Sequence, residues 1–274
     1  AMKERLAEAE AAHIKARADI VAAIDAMGLG AFLADDKLDG ELAKFVVLQQ
    51  GTPAGLAQFA QQGKKQERLI EGLLEDEELM IQMALADGAK RKRLPGRNAR
   101  YGPAEYGRAM EIYQAIRKAS RKSKRGALQR LAVGISLEHA VPVAQRNAKN
   151  KPDAPKQVDP VGRYLHYEKA FLNGELDPGF GDLSVWDYRM VVNGEEPDDI
   201  LAWGREMLRN YRPDHIRTPD YAWRYVALVR TDVKYGSGEN KYDKPELQFF
   251  QNILMNGGVC GRRAFIGRFI LRAF

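Results

Sequence analysis

Several common sequence features are absent, or nearly absent, from this chain of 274 residues. Cys260 is the only cysteine, so no internal disulfide can form and cysteine usage does not indicate a redox compartment. No run of about 18 apolar residues occurs, so the sequence predicts no membrane-spanning helix. HExxH and CxxC pairs are missing, as is a glycine-rich phosphate loop. The sequence therefore predicts neither a metal site nor a cofactor.

Signals for β-strands are scarce as well, and apolar residues recur instead at helical spacing. Pro53 and Pro103 are each expected near the start of a helix. The stretch from Lys90 to Arg100 is basic, contains Pro95 and Gly96, and is predicted to be a loop. The predicted helices cover residues 6–27, 38–50, a segment from 53, 69–84, 103–122, 128–143, 161–172, 183–191, 198–211, 221–233, 246–256 and 262–274. We therefore expect a mainly α chain.

The polar segment from Asn147 to Pro160 is the best candidate for a linker between domains. It contains three prolines, at positions 152, 155 and 160. This places a helical N-terminal domain at residues 1–150 and a second helical region at residues 156–274. The short, closely connected helices of the first domain predict a bundle.

The net charge of +6 conceals a strongly basic stretch from Gly88 to Arg130. This stretch has fourteen Lys or Arg residues and two acidic residues, a local charge of +12, so the rest of the chain carries −6. Such a stretch is either a solvated surface that offsets acidic helices or a binding site for nucleic acid or another polyanion. Aromatic residues do not alternate with basic ones in the manner of an RNA-binding motif.

The most informative segment is residues 256–265, with the sequence NGGVCGRRAF. Two glycines allow a tight turn of the backbone, and Cys260 then falls at or near the start of an apolar helix, residues 262–274. The free amides at a helix N-terminus favour a negative group and can stabilise an oxyanion. Arg262 and Arg263 add positive charge nearby. Cys260 is therefore either a thiolate nucleophile or a small buried residue in a glycine-rich helix turn.

This pattern resembles the start of the transglutaminase-like core, which belongs to the papain-like cysteine enzymes and in which a Gly-x-Cys-Gly-type turn begins the central helix. The resemblance covers residues 223–274, about a fifth of the chain, and the role of residues 1–220 stays open. It implies thiol acyl transfer, either amide or peptide hydrolysis or transamidation, on a peptide, a protein or another amide-bearing substrate. The nucleophile turn consists of Gly257, Gly258 and Gly261.

The same resemblance implies that a histidine and an aspartate follow the cysteine on the strands of an α+β core. No histidine occurs after His215. We therefore expect the sheet and both partners to lie in polypeptide beyond residue 274, and this chain alone to be inactive.

An oxyanion donor is expected upstream of such a cysteine. Gln248, Gln251 and Asn252 are candidates because helical spacing places Gln248 on the same face as the other two. Trp223 is a candidate for the lining of a substrate pocket. The alternatives are that these amides face solvent and that the tryptophan belongs to the core.

Two other functions remain open at this point: a non-catalytic protein that keeps the transglutaminase fold as a scaffold, and a polyanion-binding helical module at residues 88–130. No signal peptide is present, but Ala1-Met2 resembles a remnant of cloning, so the sequence does not assign a compartment.

Overall fold

The computed structural model describes residues 2–96, 98–211, 233–236 and 242–274, and most of these residues are helical. The predicted mainly α character is therefore confirmed. The first helices are α1 (Met2–Met27), α2 (Leu29–Leu33), α3 (Asp39–Gly51), α4 (Pro53–Ala60), α5 (Lys64–Glu75), α6 (Glu77–Leu85), α7 (Tyr106–Ala119) and α8 (Gly126–Glu138). The later ones are α9 (Pro160–Leu172), α10 (Val185–Val192), α11 (Asp198–Tyr211), α12 (Phe249–Asn256) and α13 (Cys260–Ala273). The helix predicted at residues 221–233 lies almost entirely outside the described residues.

Polar caps set two helix boundaries in the first half of the chain. The Thr52 side chain accepts a hydrogen bond from the Gly55 amide at 3.1 Å, and Pro53 follows at the first helical position. The single helix predicted at residues 69–84 is wrong, because the chain breaks at Asp76. The Asp76 carboxylate accepts from the Leu79 amide at 3.0 Å and starts a new helix. The apolar spacing continues across this break, so periodicity did not reveal it.

The predicted loop between Lys90 and Arg100 is also wrong, because this region forms most of an antiparallel β-hairpin. Strand β1 is Arg91–Leu94 and strand β2 is Arg100–Ala104, with a bulge between Arg91 and Arg93. Arginine and lysine carry little strand propensity, so composition did not indicate these strands. The base of the hairpin is fixed by backbone bonds from the Lys90 amide to the Leu137 carbonyl and from the Glu105 amide to the Lys90 carbonyl.

The chain folds into two units, residues 1–141 with 184–189 and residues 142–183 with 190–274. The segment predicted as an interdomain linker lies within the second unit and folds back on itself. The Gln145 amide donates to the Lys156 carbonyl, and the Val158 amide donates to the Val143 carbonyl, each at 2.9 Å. Its polar, proline-rich composition therefore marks a folded surface loop rather than a free connection.

The core of the first unit contains a buried ion pair. The Arg189 guanidinium lies 3.3 Å from a Glu138 carboxylate oxygen and donates to the Gly88 carbonyl at 2.8 Å. Both charged side chains are less than 10% exposed. Glu138 is also paired with Lys90, so it is the loss of Glu138 that would leave a buried charge, that of Arg189, without an acidic partner.

The core of the second unit is built around the last helix. Phe250 of α12 stacks on Phe269 of α13 with ring centroids 4.6 Å apart. Gly204 allows α11 to approach the same ring closely, because a Cβ at this position would lie 2.7 Å from Phe269 Cζ. The helix that begins at Cys260 therefore packs against two neighbours through large apolar contacts.

None of the described helices combines the length and the apolar content that crossing a membrane requires.

Candidate active site

Cys260 is the first residue of α13, and its side chain is exposed to solvent. Val259 precedes the helix in an extended conformation, and its carbonyl accepts the first helical hydrogen bond, from the Arg263 amide at 3.1 Å. The thiol thus stands at the N-terminal tip of a 14-residue helix, where the positive end of the helix dipole lies.

The first amides of this helix are available to a ligand. Val259 offers no side-chain cap to them. Among the described residues, no acceptor bonds to the backbone amides of Cys260 and Gly261. Free amides of this kind, next to an exposed nucleophile, have the chemistry that an oxyanion requires.

Two glycines shape the turn that leads to the cysteine. Gly257 has φ +71°, and a Cβ there would lie 2.0 Å from the Lys234 carbonyl oxygen. Gly258 has φ +156°, and a Cβ there would lie 2.5 Å from Arg262 Cδ. The Gly258 amide donates to the Lys234 carbonyl at 3.0 Å and holds the turn against residues 234–236. Larger residues at these two positions would strain the backbone or displace its neighbours.

Gly261 differs from these two glycines. Its φ is not in the left-handed region, and a Cβ there would have nothing within 4 Å. Its surroundings within the described residues therefore do not require glycine, although glycine weakens a helix relative to alanine. The missing side chain leaves open space beside the exposed thiol.

The opposite end of α13 is firmly anchored within the second unit. The buried Tyr167 hydroxyl donates to the Arg272 carbonyl at 2.7 Å. The Arg205 guanidinium donates to the Ala273 carbonyl at 2.8 Å, and the Asp177 amide bonds to the carbonyl of the last residue at 3.1 Å. A buried cation at the C-terminus also suits the negative end of the dipole. The sequence analysis missed these anchors because they lie 50 or more residues from the helix that they hold.

The two arginines after Cys260 are engaged with neighbouring side chains. Arg262 forms a two-pronged ion pair with Asp243, at 2.8 and 2.9 Å, and this bond lowers the pKa of the Asp243 carboxyl. Arg263 lies over the Tyr235 ring, 5.6 Å from its centroid. Arg262 therefore braces the turn, and its charge is largely offset by Asp243.

A cluster of aromatic rings joins α12 to α13 beside the turn. Phe249 and Phe265 meet edge to face with centroids 5.4 Å apart. The Arg146 guanidinium lies 4.7 Å from the first ring and 5.2 Å from the second. Cation–π contacts of this kind stabilise the approach of the two helices. Arg146 directly precedes the segment predicted as an interdomain linker, and its position in the sequence gave no sign of this role.

The three amide candidates occupy different positions. Asn252 is buried; its side-chain oxygen accepts from the Lys244 amide, and its nitrogen donates to the carbonyls of Lys244 and Leu247. It has no free N–H for an oxyanion. The Gln251 side-chain oxygen accepts from the Gln248 amide at 3.0 Å and caps α12. Gln248 is buried at the start of that helix. Trp223 lies outside the described residues.

None of the described histidines contacts the Cys260 thiol. The thiol has no hydrogen-bond partner among the described residues. His13 stacks on Phe45 with centroids 5.3 Å apart, and His139 is buried in the first unit at the end of α8. His166 accepts from the Arg205 guanidinium at 3.2 Å. His215 lies outside the described residues. Within the same residues, no three His, Cys, Asp or Glu side chains converge as a metal site would require.

Comparisons of the chain with protein-family models, with curated proteins and with solved structures give no match. The resemblance around Cys260 therefore depends on the residues of the turn, and the function that it implies is a proposal.

Proposed function

We propose that this chain carries the nucleophile of a transglutaminase-like cysteine enzyme that acts by thiol acyl transfer. One observation carries the proposal: Cys260, the only cysteine of the sequence, is exposed at the tip of a helix whose first amides have no acceptor among the described residues. The glycine turn and the anchored far end hold this tip in place. The Cys260 side chain is exposed among the described residues, so a substrate can reach the sulfur.

The proposed reaction begins when the Cys260 thiolate attacks the carbonyl carbon of a carboxamide or peptide. The carbonyl oxygen becomes negative and is stabilised by the amides at the start of α13. The C–N bond then breaks, the amine leaves with a proton, and a thioester with Cys260 remains. Water or a second amine next attacks the thioester, which gives hydrolysis or transamidation and regenerates the thiol.

The proton transfers need a base that the described residues do not place at the thiol. In the proposed enzyme this base is a histidine, oriented by an aspartate, from polypeptide beyond Phe274. This chain by itself is then expected to be alkylated and acylated at Cys260 but not to turn over.

The test compares Cys260 with a thiol placed one helical turn further along α13. The matched control is Cys260→Ser combined with Ala264→Cys, since residue 264 is also exposed. We expect iodoacetamide to modify the native wild-type protein several-fold faster than the control, because the effect of the helix terminus falls off within the first turn. Mass spectrometry of the intact protein follows the reaction. An activated ester should likewise leave one acyl group per wild-type chain, on Cys260.

Equal rates for the two thiols would show that Cys260 has only ordinary surface reactivity. That result would remove it as a nucleophile and favour the non-catalytic scaffold. Circular dichroism of both proteins checks that the helix is intact.

A further inference from the structure

We propose that the two paired strands β1 (Arg91–Leu94) and β2 (Arg100–Ala104) form a binding surface for single-stranded nucleic acid. The hairpin belongs to the first unit and is independent of the chemistry proposed for Cys260. The sequence analysis found no alternation of basic and aromatic residues along the chain. The fold instead places one aromatic residue, Tyr101, opposite a basic residue, Arg93, across the two strands.

The strand register brings a cation and an aromatic ring together on one face. Arg93 lies directly opposite Tyr101, and directly opposed residues of an antiparallel pair share a face. The Tyr101 side chain is 57% exposed, and Arg93 is exposed as well. A base can stack on the tyrosine ring while the arginine contacts the adjacent phosphate.

The second face repeats this combination with an aliphatic residue. Leu94 lies opposite Arg100, and its side chain lies over Gly102, where a Cβ would be 3.8 Å from Leu94 Cδ2. Leu94 remains 44% exposed. All four residues of β1 are exposed, so the strand buries neither of its faces. The core does not depend on the side chains of β1, and both faces of this strand are exposed among the described residues.

Most of the described basic side chains of the hairpin are not paired with an acidic residue. Lys90 is paired with Glu138, and Lys92 is paired with Glu105 at 3.0 Å. By contrast, Arg91, Arg93 and Arg100 have no acidic partner among the residues that the structure describes. Three unpaired guanidinium groups on one small hairpin complement the phosphates of a nucleic acid strand.

The combination of charge and one exposed ring, that of Tyr101, favours a single strand as the occupant. Charge alone would serve any polyanion, including a sulfated glycan. Stacking on an exposed ring requires unpaired bases, which a single strand presents and a duplex keeps within its helix. Lys118 lies near the far end of α7, about 18 Å along the helix axis from Tyr106, and Lys122 and Lys124 follow in the turn after the helix. These three lysines serve as an internal control.

The test measures the binding of a fluorescent oligothymidylate to the full chain by anisotropy at several salt concentrations. Three phosphate contacts predict a slope of about −2 for the logarithm of the binding constant against the logarithm of salt. The variant with Arg91, Arg93 and Arg100 changed to Gln should bind about tenfold more weakly or worse, with a slope near zero. The control variant removes the same amount of charge elsewhere, by changing Lys118, Lys122 and Lys124 to Gln. Its binding constant should stay within about twofold of the wild-type value.

The aromatic contact is tested separately. Tyr101→Ala should weaken binding roughly five- to hundredfold, while Tyr101→Phe keeps the ring and should bind like the wild type. Equal losses in the two charge variants would overturn the proposal. The proposal would also be overturned if Tyr101→Ala left the binding constant unchanged and the chain bound heparin, or a duplex of the same length, with equal affinity. The hairpin would then attract any polyanion.

Discussion

The folded structure disfavours protonation of His166. Both terminal nitrogens of Arg205 lie 3.2 Å from His166 Nε2. A guanidinium can only donate, so Nε2 must accept, and the ring is neutral with its proton on Nδ1. Burial, together with the charge of Arg205, lowers the pKa of His166 to about 3. The sequence gave no sign of the cationic neighbour of this histidine.

This arrangement predicts a pH dependence of stability with a definite sign. The unfolded chain binds a proton on this histidine below about pH 6.5, whereas the folded chain does not until about pH 3. The free energy of unfolding should therefore fall as the pH drops through this window, by at most about 1.4 kcal/mol per pH unit from this residue. His166→Gln keeps an acceptor for Arg205 without titrating.

Urea unfolding at about pH 7 and about pH 5 provides the measurement. The decline in stability between the two pH values should be smaller in His166→Gln than in the wild type. Parallel declines in the two proteins would show that another group controls the acid sensitivity.

At the scale of elements, a buried arginine organises the loop between α10 and α11. Arg163 is fully buried in α9 and forms an ion pair with Asp198 at the start of α11. Its terminal nitrogens donate to the backbone carbonyls of Val192, Gly194 and Glu196. One side chain thus satisfies three carbonyls and a carboxylate, and the loop is wrapped around it.

Arg163→Met should therefore destabilise the second unit by about 3 kcal/mol or more, because it leaves these acceptors buried without a donor. Arg163→Lys should recover only part of this loss, since an ammonium group cannot reproduce the planar fork. Arg209→Met on the exposed face of α11 is the control and should stay within about 0.5 kcal/mol of the wild type. Denaturant unfolding measures all three; a small effect of Arg163→Met would mean that the loop relaxes to bond elsewhere.

At the scale of the whole molecule, the charge is divided unevenly along the chain. Residues 88–130 carry a local charge of +12 and belong to the first unit, while the remainder carries −6. Lys118, Lys122 and Lys124 are exposed at the end of α7 and in the turn after it. They have no ion-pair partner among the described residues.

Changing these three lysines to Gln should leave the free energy of unfolding within about 0.5 kcal/mol of the wild type, because exposed, unpaired charges contribute little to the folded state. Thermal unfolding at low and moderate salt provides the comparison. A loss well above this range at both salt concentrations would place the lysines in contacts that stabilise the first unit.

The sequence by itself determined the features that depend on neighbouring residues. Helical periodicity gave the mainly α class, Pro53 gave one helix start, and the glycines before Cys260 placed the thiol at the beginning of the last helix. These signals work because a cap, a turn or an amphipathic stripe acts through residues only a few positions apart.

The tertiary structure alone decided the features that depend on distant partners. It showed that Asn252 holds the loop at residues 244–247, that Arg262 pairs with Asp243, and that Tyr167 and Arg205 anchor the far end of the Cys260 helix. It also placed Arg93 opposite Tyr101 in a segment that the sequence predicted to be a loop. Each of these side chains has several possible partners along the chain, and only the packing of the core and the register of the strands select one.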